Sequence, residues 1–311
     1  MTGAPLNILH VLRAPVGGLF RHVCDLARGQ ATRGHKVGVI ADAASGGERA
    51  DAALAALAPA LALGLTRVPM TRDIGGGDIA AVRHVGQRAA EAGADVLHGH
   101  GAKGGAYARL ARRPPKAIRV YTPHGGSLHY RWSTPTGLFY LTAEKVLMRR
   151  TDLFLFESHY GRDTFAAKIG DPGGHALVCV VHNGVADAEF LPIMPAADAT
   201  DLVFVGELRK LKGVDVLIEA MARLAHDSRG VTATIVGDGA DRGGPAPLAP
   251  RAESPSERPS HGGTSRRRQG AVQETGMSEL PQHPWSGGHP GTGSRPSRPS
   301  AVQGMADELR L

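Results

Sequence analysis

Two glycine-containing turns in the second half of the chain carry residues suited to chemistry. The first follows an apolar strand and contains Gly206, Arg209 and Lys212, and the second follows another apolar strand and contains Gly237 and Gly239. A glycine turn at a strand end exposes backbone N–H groups, and these groups together with a cationic side chain bind diphosphate oxygens. The pattern therefore predicts a phosphate-binding segment. A solvated turn rich in arginine and lysine is the alternative.

A third glycine turn lies near the start of the chain. Gly17 and Gly18 follow the apolar run of residues 6–12 and open a stretch with helical periodicity. Adjacent glycines let a ligand approach the backbone closely, and a helix start favours anionic oxygens by about 0.3–1 kcal/mol. The spacing is not the Gly-x-Gly-x-x-Gly of dinucleotide-binding enzymes, which argues against a dehydrogenase. The residues alone leave a phosphate site and a simple tight connection equally open.

Histidines mark the ends of two further strands. His98 and His100 end one apolar run, and His124 with Gly125 follows another. Two histidines two residues apart, with no cysteine or pair of carboxylates nearby in sequence, are a weak metal signal, so no metal is expected. A histidine at a strand end can bond to a sugar hydroxyl and respond to charge near neutral pH. A satisfied structural histidine is the alternative.

Strands and helices alternate along the first 185 residues. Short apolar runs predict strands at 6–12, 36–40, 95–98, 118–122, 153–157 and 178–181. Segments of helical periodicity lie near 19–33, 80–92, 104–112, 136–150 and 158–169. This alternation predicts an α/β fold with an open, doubly wound parallel sheet, in which ligands bind at the carboxyl ends of the strands.

Composition fits a two-domain protein without a membrane span. The chain has 311 residues, of which 42% are hydrophobic, and a formal charge of +7. A basic chain suits a phosphorylated substrate, a polyanion or an acidic membrane surface. Two cysteines lie far apart in apolar segments, as buried free thiols of a reducing cytoplasm do. The amino terminus lacks the features of a secretion signal, and the most apolar run, 52–65, is too short to span a bilayer. We expect a cytoplasmic protein, soluble or peripheral.

Taken together, the motifs resemble those of family 4, or group 1, glycosyltransferases. The matching segments are Pro15-Val-Gly-Gly18, Arg33-Gly-His35, Asp95-Val-Leu-His-Gly-His100, Tyr121-Thr-Pro-His124-Gly125, Asn183-Gly-Val185 and residues 201–242. The resemblance implies a GT-B fold, in which an acceptor-side domain precedes a nucleotide-sugar domain and both are Rossmann-like. It covers residues 6–242.

In the first domain the resemblance implies roles for five residues. Gly17 and Gly18 are expected to lie against the donor phosphates. His124 is expected to be catalytic, in contact with the transferred sugar and the acceptor hydroxyl. His100 and Gly125 are expected to shape the cleft and the acceptor side.

In the second domain the resemblance implies a donor-phosphate site. Lys212 aligns with a lysine that contacts the β-phosphate, and a flexible ammonium suits a leaving group that gains negative charge. The family has arginine where this chain has Glu207, and Arg209 is the expected substitute. Gly237 and Gly239 are expected to form a second phosphate loop.

The resemblance also predicts an incomplete second domain. It divides the chain into a first domain at 1–185, a linker at 186–200 and the start of a nucleotide-sugar domain at 201–242. Residues 243–311 are rich in Pro, Ser, Gly and Arg and lack strand or helix periodicity, which predicts a disordered tail. The family's Glu-x(7)-Glu element has no match in this tail. A frameshift is our hypothesis, and reading the DNA in its other two frames would test it.

The expected function is retaining, metal-independent hexosyl transfer from a nucleotide-diphosphate sugar to a glycan or lipid-linked acceptor, as in polysaccharide biosynthesis. No cofactor is expected beside this donor, and truncation is expected to impair the activity. The alternative is an inactive fragment that binds an acceptor or a membrane, for which the basic stretch from Arg109 to Arg119 offers a surface. Nucleic-acid binding through the cluster from Arg266 to Arg268 is disfavoured, because no aromatic residues are interleaved with it.

Overall fold

The computed structural model describes residues 4–226, 230–239, 241 and 242. Two compact units divide between Val185 and Ala186. The predicted tail at 243–311 lies outside the described residues. Within the described parts of the chain, no helix is both long enough and apolar enough to cross a membrane.

A seven-stranded parallel sheet forms the first unit. Its strands are β1 Asn7–Leu12, β2 Lys36–Asp42, β3 Gly64–Val68, β4 Val96–His100, β5 Ile118–Thr122, β6 Leu153–Phe156 and β7 Leu177–Val180. They lie side by side in the order β3-β2-β1-β4-β5-β6-β7, and every neighbouring pair is parallel. The predicted doubly wound sheet is confirmed. Its order reverses between β1 and β4, and such a switch point is where α/β folds bind their ligands.

Six helices connect the strands of this sheet. They are α1 Gly17–Thr32, α2 Gly47–Leu57, α3 Gly77–Glu91, α4 Gly101–Leu110, α5 Pro135–Met148 and α6 His159–Lys168. Leu12 packs in one core cluster with α1 and α2, whereas Leu9 and Val11 pack in another with α3 and α4. Because alternate residues of a strand point to opposite faces, these clusters cover the two faces of the sheet.

Two elements of the first unit were not predicted. Helix α2 and strand β3 fill a stretch whose alanine- and leucine-rich composition gave no strand signal. Helix α2 ends just before Pro59, where proline interrupts the apolar run. Strand β3 is an edge strand in which only Val68 is buried, so it lacks the continuous apolar pattern of the central strands.

A buried ion pair ties α4 to α5. Nη1 of Arg109 lies 2.9 Å from Oε2 of Glu144, and both side chains are almost fully buried. The other carboxylate oxygen accepts hydrogen bonds from the hydroxyls of Tyr121, at 2.8 Å, and Ser127, at 3.0 Å. The guanidinium also stacks 3.7 Å from the centre of the Tyr121 ring. The network therefore fixes the loop after β5 to two helices.

Burial and ion pairing of its arginines correct the interpretation of the basic stretch from Arg109 to Arg119 as a membrane-binding surface. Arg109 and Arg119 are buried, and Arg113 pairs with Asp152. Two of the five basic residues of the stretch are therefore buried, and a third has a carboxylate partner. The stretch does not form a continuous cationic surface.

The second unit is described as one β-α-β segment. Strand β8 Leu202–Val205, helix α7 Val214–His226 and strand β9 Ala233–Val236 follow in order, and the two strands pair in parallel. Val203 and Val205 are 69% and 74% exposed, so β8 buries little of its apolar surface.

The Glu144→Ala variant should lose much of the stability of the first unit. It leaves the Arg109 guanidinium buried without its counter-charge, which costs about 3–5 kcal/mol of the free energy of unfolding. Urea denaturation followed by circular dichroism measures the loss. The matched control is Asp25→Ala, which removes an exposed partner of Arg21 and should cost less than about 1 kcal/mol. Equal small losses in both variants would contradict the role assigned to the network.

Candidate functional site

The carboxyl edge of the first sheet brings the predicted residues of the first unit together. Helix α1 starts at Gly17 after β1, His100 ends β4, and His124 follows β5. His22, in the second turn of α1, connects these segments, since its ring centre lies 5.3 Å from that of His124 and 6.2 Å from that of His100. The candidate site therefore lies at the switch point between β1 and β4.

The start of α1 is open. No side chain caps the helix, whose preceding residue, Val16, has an extended backbone. Gly17 has a φ of 67°, a conformation that favours glycine, and both Gly17 and Gly18 are exposed. A Cβ added to either glycine would meet no atom within 4 Å. The start of the helix thus has no side-chain cap and leaves room for an anion, which could accept hydrogen bonds from its first N–H groups.

His124 has an unusual backbone and an engaged side chain. Its φ of 49° is the one positive value among the non-glycine residues that the structure describes, and Gly125 and Gly126 continue with 73° and 28°. Nε2 of His124 lies 3.1 Å from Nδ1 of His100, and Nδ1 lies 2.7 Å from Oε1 of Glu157. These two hydrogen bonds help to offset a left-handed conformation that costs about 1–2 kcal/mol.

The engaged ring limits how His124 can meet a substrate. Its side chain is only 5% exposed, and each ring nitrogen already has a protein partner. A sugar hydroxyl could replace a partner only if one hydrogen bond broke. The backbone of His124 and of the exposed Gly125 is more accessible, so the predicted sugar contact fits the backbone better than the ring.

A row of hydrogen bonds continues from His100 into the protein. Nε2 of His100 lies 2.9 Å from Nδ1 of His10, and Nε2 of His10 lies 2.8 Å from Oε1 of Gln30. All three side chains are buried. His98 lies beside this row, with its Nε2 2.9 Å from Oγ1 of Thr122 and its Nδ1 buried without a partner.

Burial keeps the inner imidazoles neutral. Desolvation lowers the pKa of His10 from 6.5 to about 4, although the hydrogen bond to Gln30 acts in the other direction. Burial also lowers the pKa of His98 and of His100 well below the usual value, and neighbouring histidines add to the effect. The pKa of His22 is lowered by burial and by the nearby His124.

Glu157 supplies negative charge at the outer end of the row. Burial alone would raise the pKa of this carboxyl, but hydrogen bonds and charge interactions outweigh burial and lower it. The donors are His124 and the Nδ2 of Asn183, which lies 2.9 Å from Oε1. Asn183 thus helps to hold the Glu157 carboxylate in place.

His10, His98 and His100 could be taken for a metal site, since they place one ring nitrogen each within 4.8 Å of the others. However, Nδ1 of His10 and Nε2 of His100 are only 2.9 Å apart. Two nitrogens bound to one tetrahedral zinc ion at 2.0–2.1 Å lie about 3.3 Å from each other. The observed separation fits a shared hydrogen atom better than a shared ion.

In the second unit, Lys212 and Arg209 lie on a short turn. Lys212 is exposed and precedes Gly213, which has a φ of 71°. Nη1 of Arg209 lies 3.5 Å from Oε2 of Glu207, and both side chains are about half exposed. An exposed pair of this kind contributes little stability, so a stronger anion can compete for the guanidinium. Phosphate contacts by both residues remain predictions.

Gly237 and Gly239 have a packing role. A Cβ on Gly237 would lie 1.8 Å from the carbonyl oxygen of Gly206, and one on Gly239 would lie 2.4 Å from that of Leu208. The two turns of this unit approach so closely that side chains do not fit between them. Packing alone therefore explains these glycines, and their phosphate contacts also remain predictions.

A cleft of about 840 Å³ lies away from the candidate site. It is lined by residues of α3, the end of α4 and Pro114 and Pro115, which precede β5. These residues lie toward the amino ends of the strands, whereas ligands of this fold bind at the carboxyl ends. We assign no function to this cleft.

Comparison with known proteins identifies the family. The family model described as Glycosyltransferase Family 4 matches residues 16–189, which is more than half of the chain. The chain belongs to this family. No curated protein matches it in sequence.

Solved structures support the fold of this family 4 glycosyltransferase. A glycosyltransferase from Rickettsia africae is 14% identical, with a TM-score of 0.55 over 77% of this chain and 70% of that one. Sucrose-phosphate synthase from Thermosynechococcus elongatus is 16% identical, with a TM-score of 0.55 over 74% and 70%. Alr3699/HepE from Anabaena, in complex with UDP and glucose, is 18% identical, with a TM-score of 0.54 over 76% and 70%. At these identities the similarity shows the GT-B-type fold.

Sequence reasoning missed four polar residues of the candidate site: His10, His22, Gln30 and Glu157. His10 interrupts an apolar strand and Glu157 directly follows one, so a search for polar residues within and directly after apolar runs could have found them. His22 and Gln30 are eight positions apart on one helix face. Only knowledge of which face meets the sheet would identify them.

Acid should destabilise the first unit through its buried histidines. Between pH 6.5 and about 4, unfolded His10 binds a proton that folded His10 does not, so the free energy of unfolding falls as the pH falls through this window. This one site contributes about 3 kcal/mol, and His98 and His100 act in the same direction.

Urea titrations near neutral pH and near the lower end of this window measure the effect. His10→Gln should reduce the pH dependence of the free energy of unfolding. His159→Gln, which removes an exposed histidine, should leave this dependence unchanged. Unfolding free energies that do not change with pH would contradict the burial of neutral imidazoles.

Proposed function

We propose that the chain is a retaining glycosyltransferase that moves a hexosyl group from a nucleotide-diphosphate donor to a glycan or lipid-linked acceptor. The observation that carries the proposal is the meeting of the open α1 start with the His124 loop, at the switch point of a family 4 domain. Of the structures with this fold, the Anabaena protein is in complex with UDP and glucose. A donor of the same chemical class is therefore our first candidate.

The open helix start is suited to the leaving group of this reaction. Negative charge grows on the diphosphate as its bond to the sugar breaks, and fixed N–H groups aimed at that charge stabilise the transition state. Gly17 and Gly18 allow the phosphates to approach the backbone without a side chain in the way. In the second unit, Lys212 and Arg209 are the proposed cationic contacts for phosphate. We propose no metal and no further cofactor.

Membrane contact is proposed for the acceptor side, because one face of α5 is apolar and basic. Leu138, Phe139 and Val146 are each more than half exposed, and Lys145 and Arg149 lie exposed on the same helix or at its end. Apolar side chains next to cations suit an anionic lipid surface. We therefore propose a cytoplasmic enzyme that binds peripherally at the membrane and acts on a lipid-linked acceptor.

Nucleotide binding and sugar transfer are measured on the purified full chain. Calorimetry with UDP, ADP and GDP should show binding of at least one nucleotide, and NMR of the product should show the anomeric configuration of the donor. Nucleotide binding without transfer to any acceptor would favour the alternative of an inactive binding fragment. A chain that binds none of these nucleotides would refute the proposed donor class.

Gly18→Ala separates phosphate binding from folding. The added methyl meets no protein atom, and alanine favours a helix over glycine by up to about 1 kcal/mol, so the variant should be at least as stable as the parent. The methyl occupies the space reserved for phosphate and should weaken nucleotide binding about 5–10-fold, or about 1–1.4 kcal/mol.

Gly174→Ala is the matched control. Gly174 is also exposed with no atom near its Cβ position, but it precedes β7, at the opposite edge of the sheet. Its substitution should leave nucleotide affinity unchanged. Equal affinities of the Gly18 and Gly174 variants would place the diphosphate elsewhere.

A further inference from the structure

An unbroken row of hydrogen bonds crosses the candidate site from α1 to the end of β6. Its members, called the relay below, are Gln30, His10, His100, His124 and Glu157. Each of the four links is between 2.7 and 3.1 Å long, and both nitrogens of all three rings are used. An interior row of this kind restricts where each hydrogen atom can lie, because every link needs one donor and one acceptor.

The amide end of the relay sets the direction of the links. Oε1 of Gln30 faces Nε2 of His10 and can only accept, so this nitrogen carries the hydrogen. Nδ1 of a neutral His10 is then an acceptor, and Nε2 of His100 must donate to it. By the same rule Nδ1 of His100 accepts from Nε2 of His124.

The carboxylate end sets the charge. Nδ1 of His124 faces Oε1 of Glu157, and an ionised carboxylate can only accept. Both nitrogens of His124 therefore carry hydrogen, and its ring is an imidazolium. We propose that Gln30 and Glu157 are positioning residues that together hold one extra proton on the relay, and that this proton resides on His124.

Loss of this proton must reverse three of the four links. Without it the three rings carry three hydrogens on nitrogen instead of four. In each ring the remaining hydrogen then lies on Nδ1, and the Gln30 amide turns its NH₂ group toward His10. His124 then donates only to Glu157, and the links to His100, His10 and Gln30 have reversed their direction. The charge of His124 is thus coupled to the orientation of an amide three links away.

The surroundings of His124 are consistent with this single charge. The groups that face it are His22 from α1, His100 from β4 and Glu157 after β6. Burial and neighbouring charges lower the pKa of His22 and His100, which leaves Glu157 as the counter-charge. If the proposed function holds, an imidazolium near the α1 start adds positive charge where the diphosphate would bind.

Nitrogen-15 NMR of the histidine rings in the full chain tests the relay. Near neutral pH we expect both nitrogens of His124 to carry hydrogen and the hydrogens of His10 and His100 to lie on Nε2. As the pH rises and the proton leaves, the signals of all three rings should change with one common midpoint. A His124 that titrates without any change at His10 and His100, or that is neutral near pH 7, would overturn the proposal.

Glu157→Gln is the informative variant, because glutamine keeps the shape and removes the charge. The midpoint should move down by about one pH unit or more, and His124 should be neutral near pH 7. The three rings should still share one tautomer, whichever nitrogen carries the hydrogen. Mixed tautomers would refute the coupling, whereas a purely structural Glu157 would leave the midpoint in place.

Asn183→Ala provides the control. It removes one hydrogen bond to Glu157 but keeps the carboxylate beside His124, so the imidazolium should persist. Metal analysis of the same samples tests the competing use of these rings. One zinc ion per chain, with unprotonated nitrogens on His10, His98 and His100, would also overturn the relay. The NMR readout needs no substrate, so its outcome is independent of nucleotide binding.

Discussion

The structure of the candidate site depends on the need to satisfy polar side chains buried at the centre of a parallel sheet. His10 lies opposite His98 in the register of β1 and β4, and the next strand residue on the same face of β4 is His100. Away from water, each ring nitrogen without a hydrogen-bond partner lowers the stability of the fold. The rings therefore bond to each other, to Gln30 and to Thr122, and the row they form reaches His124 and Glu157 at the sheet edge.

The same need of buried polar groups for hydrogen-bond partners holds the loop after β5 at two points. The ring of His124 is bound by His100 and Glu157, and the hydroxyl of Ser127 is bound by the buried Glu144. Between these anchors the backbone adopts the left-handed conformations of His124, Gly125 and Gly126. Such a backbone persists only where its surroundings determine it strongly, and functional loops are common examples. The two anchors come from different elements, so the loop has a defined shape before any ligand binds.

Sequence patterns predicted most of this architecture but only part of the site. The central strands were predictable from sequence because buried parallel strands are continuous apolar runs, whereas β3 is half exposed and gave no such run. Site residues that directly follow strands, such as His124, were predictable because the carboxyl ends of parallel strands meet at one edge of the sheet. The partners His22 and Gln30 were not, because their role depends on which face of α1 meets the sheet. The burial of Arg109 was hidden for a similar reason, since its partner Glu144 is 35 residues away.

The glycines show why one sequence signal can have two physical causes. Gly18 and Gly239 both belong to turns after apolar strands, and both suggested phosphate binding. A side chain at Gly18 would point into open space, but one at Gly239 would collide with the backbone of Leu208. The fold itself therefore requires glycine at position 239, whereas nothing in the described protein requires it at position 18. An unfilled position at the open start of a helix leaves room for a ligand, and for this reason our proposal places the diphosphate at the first turn and not at the second.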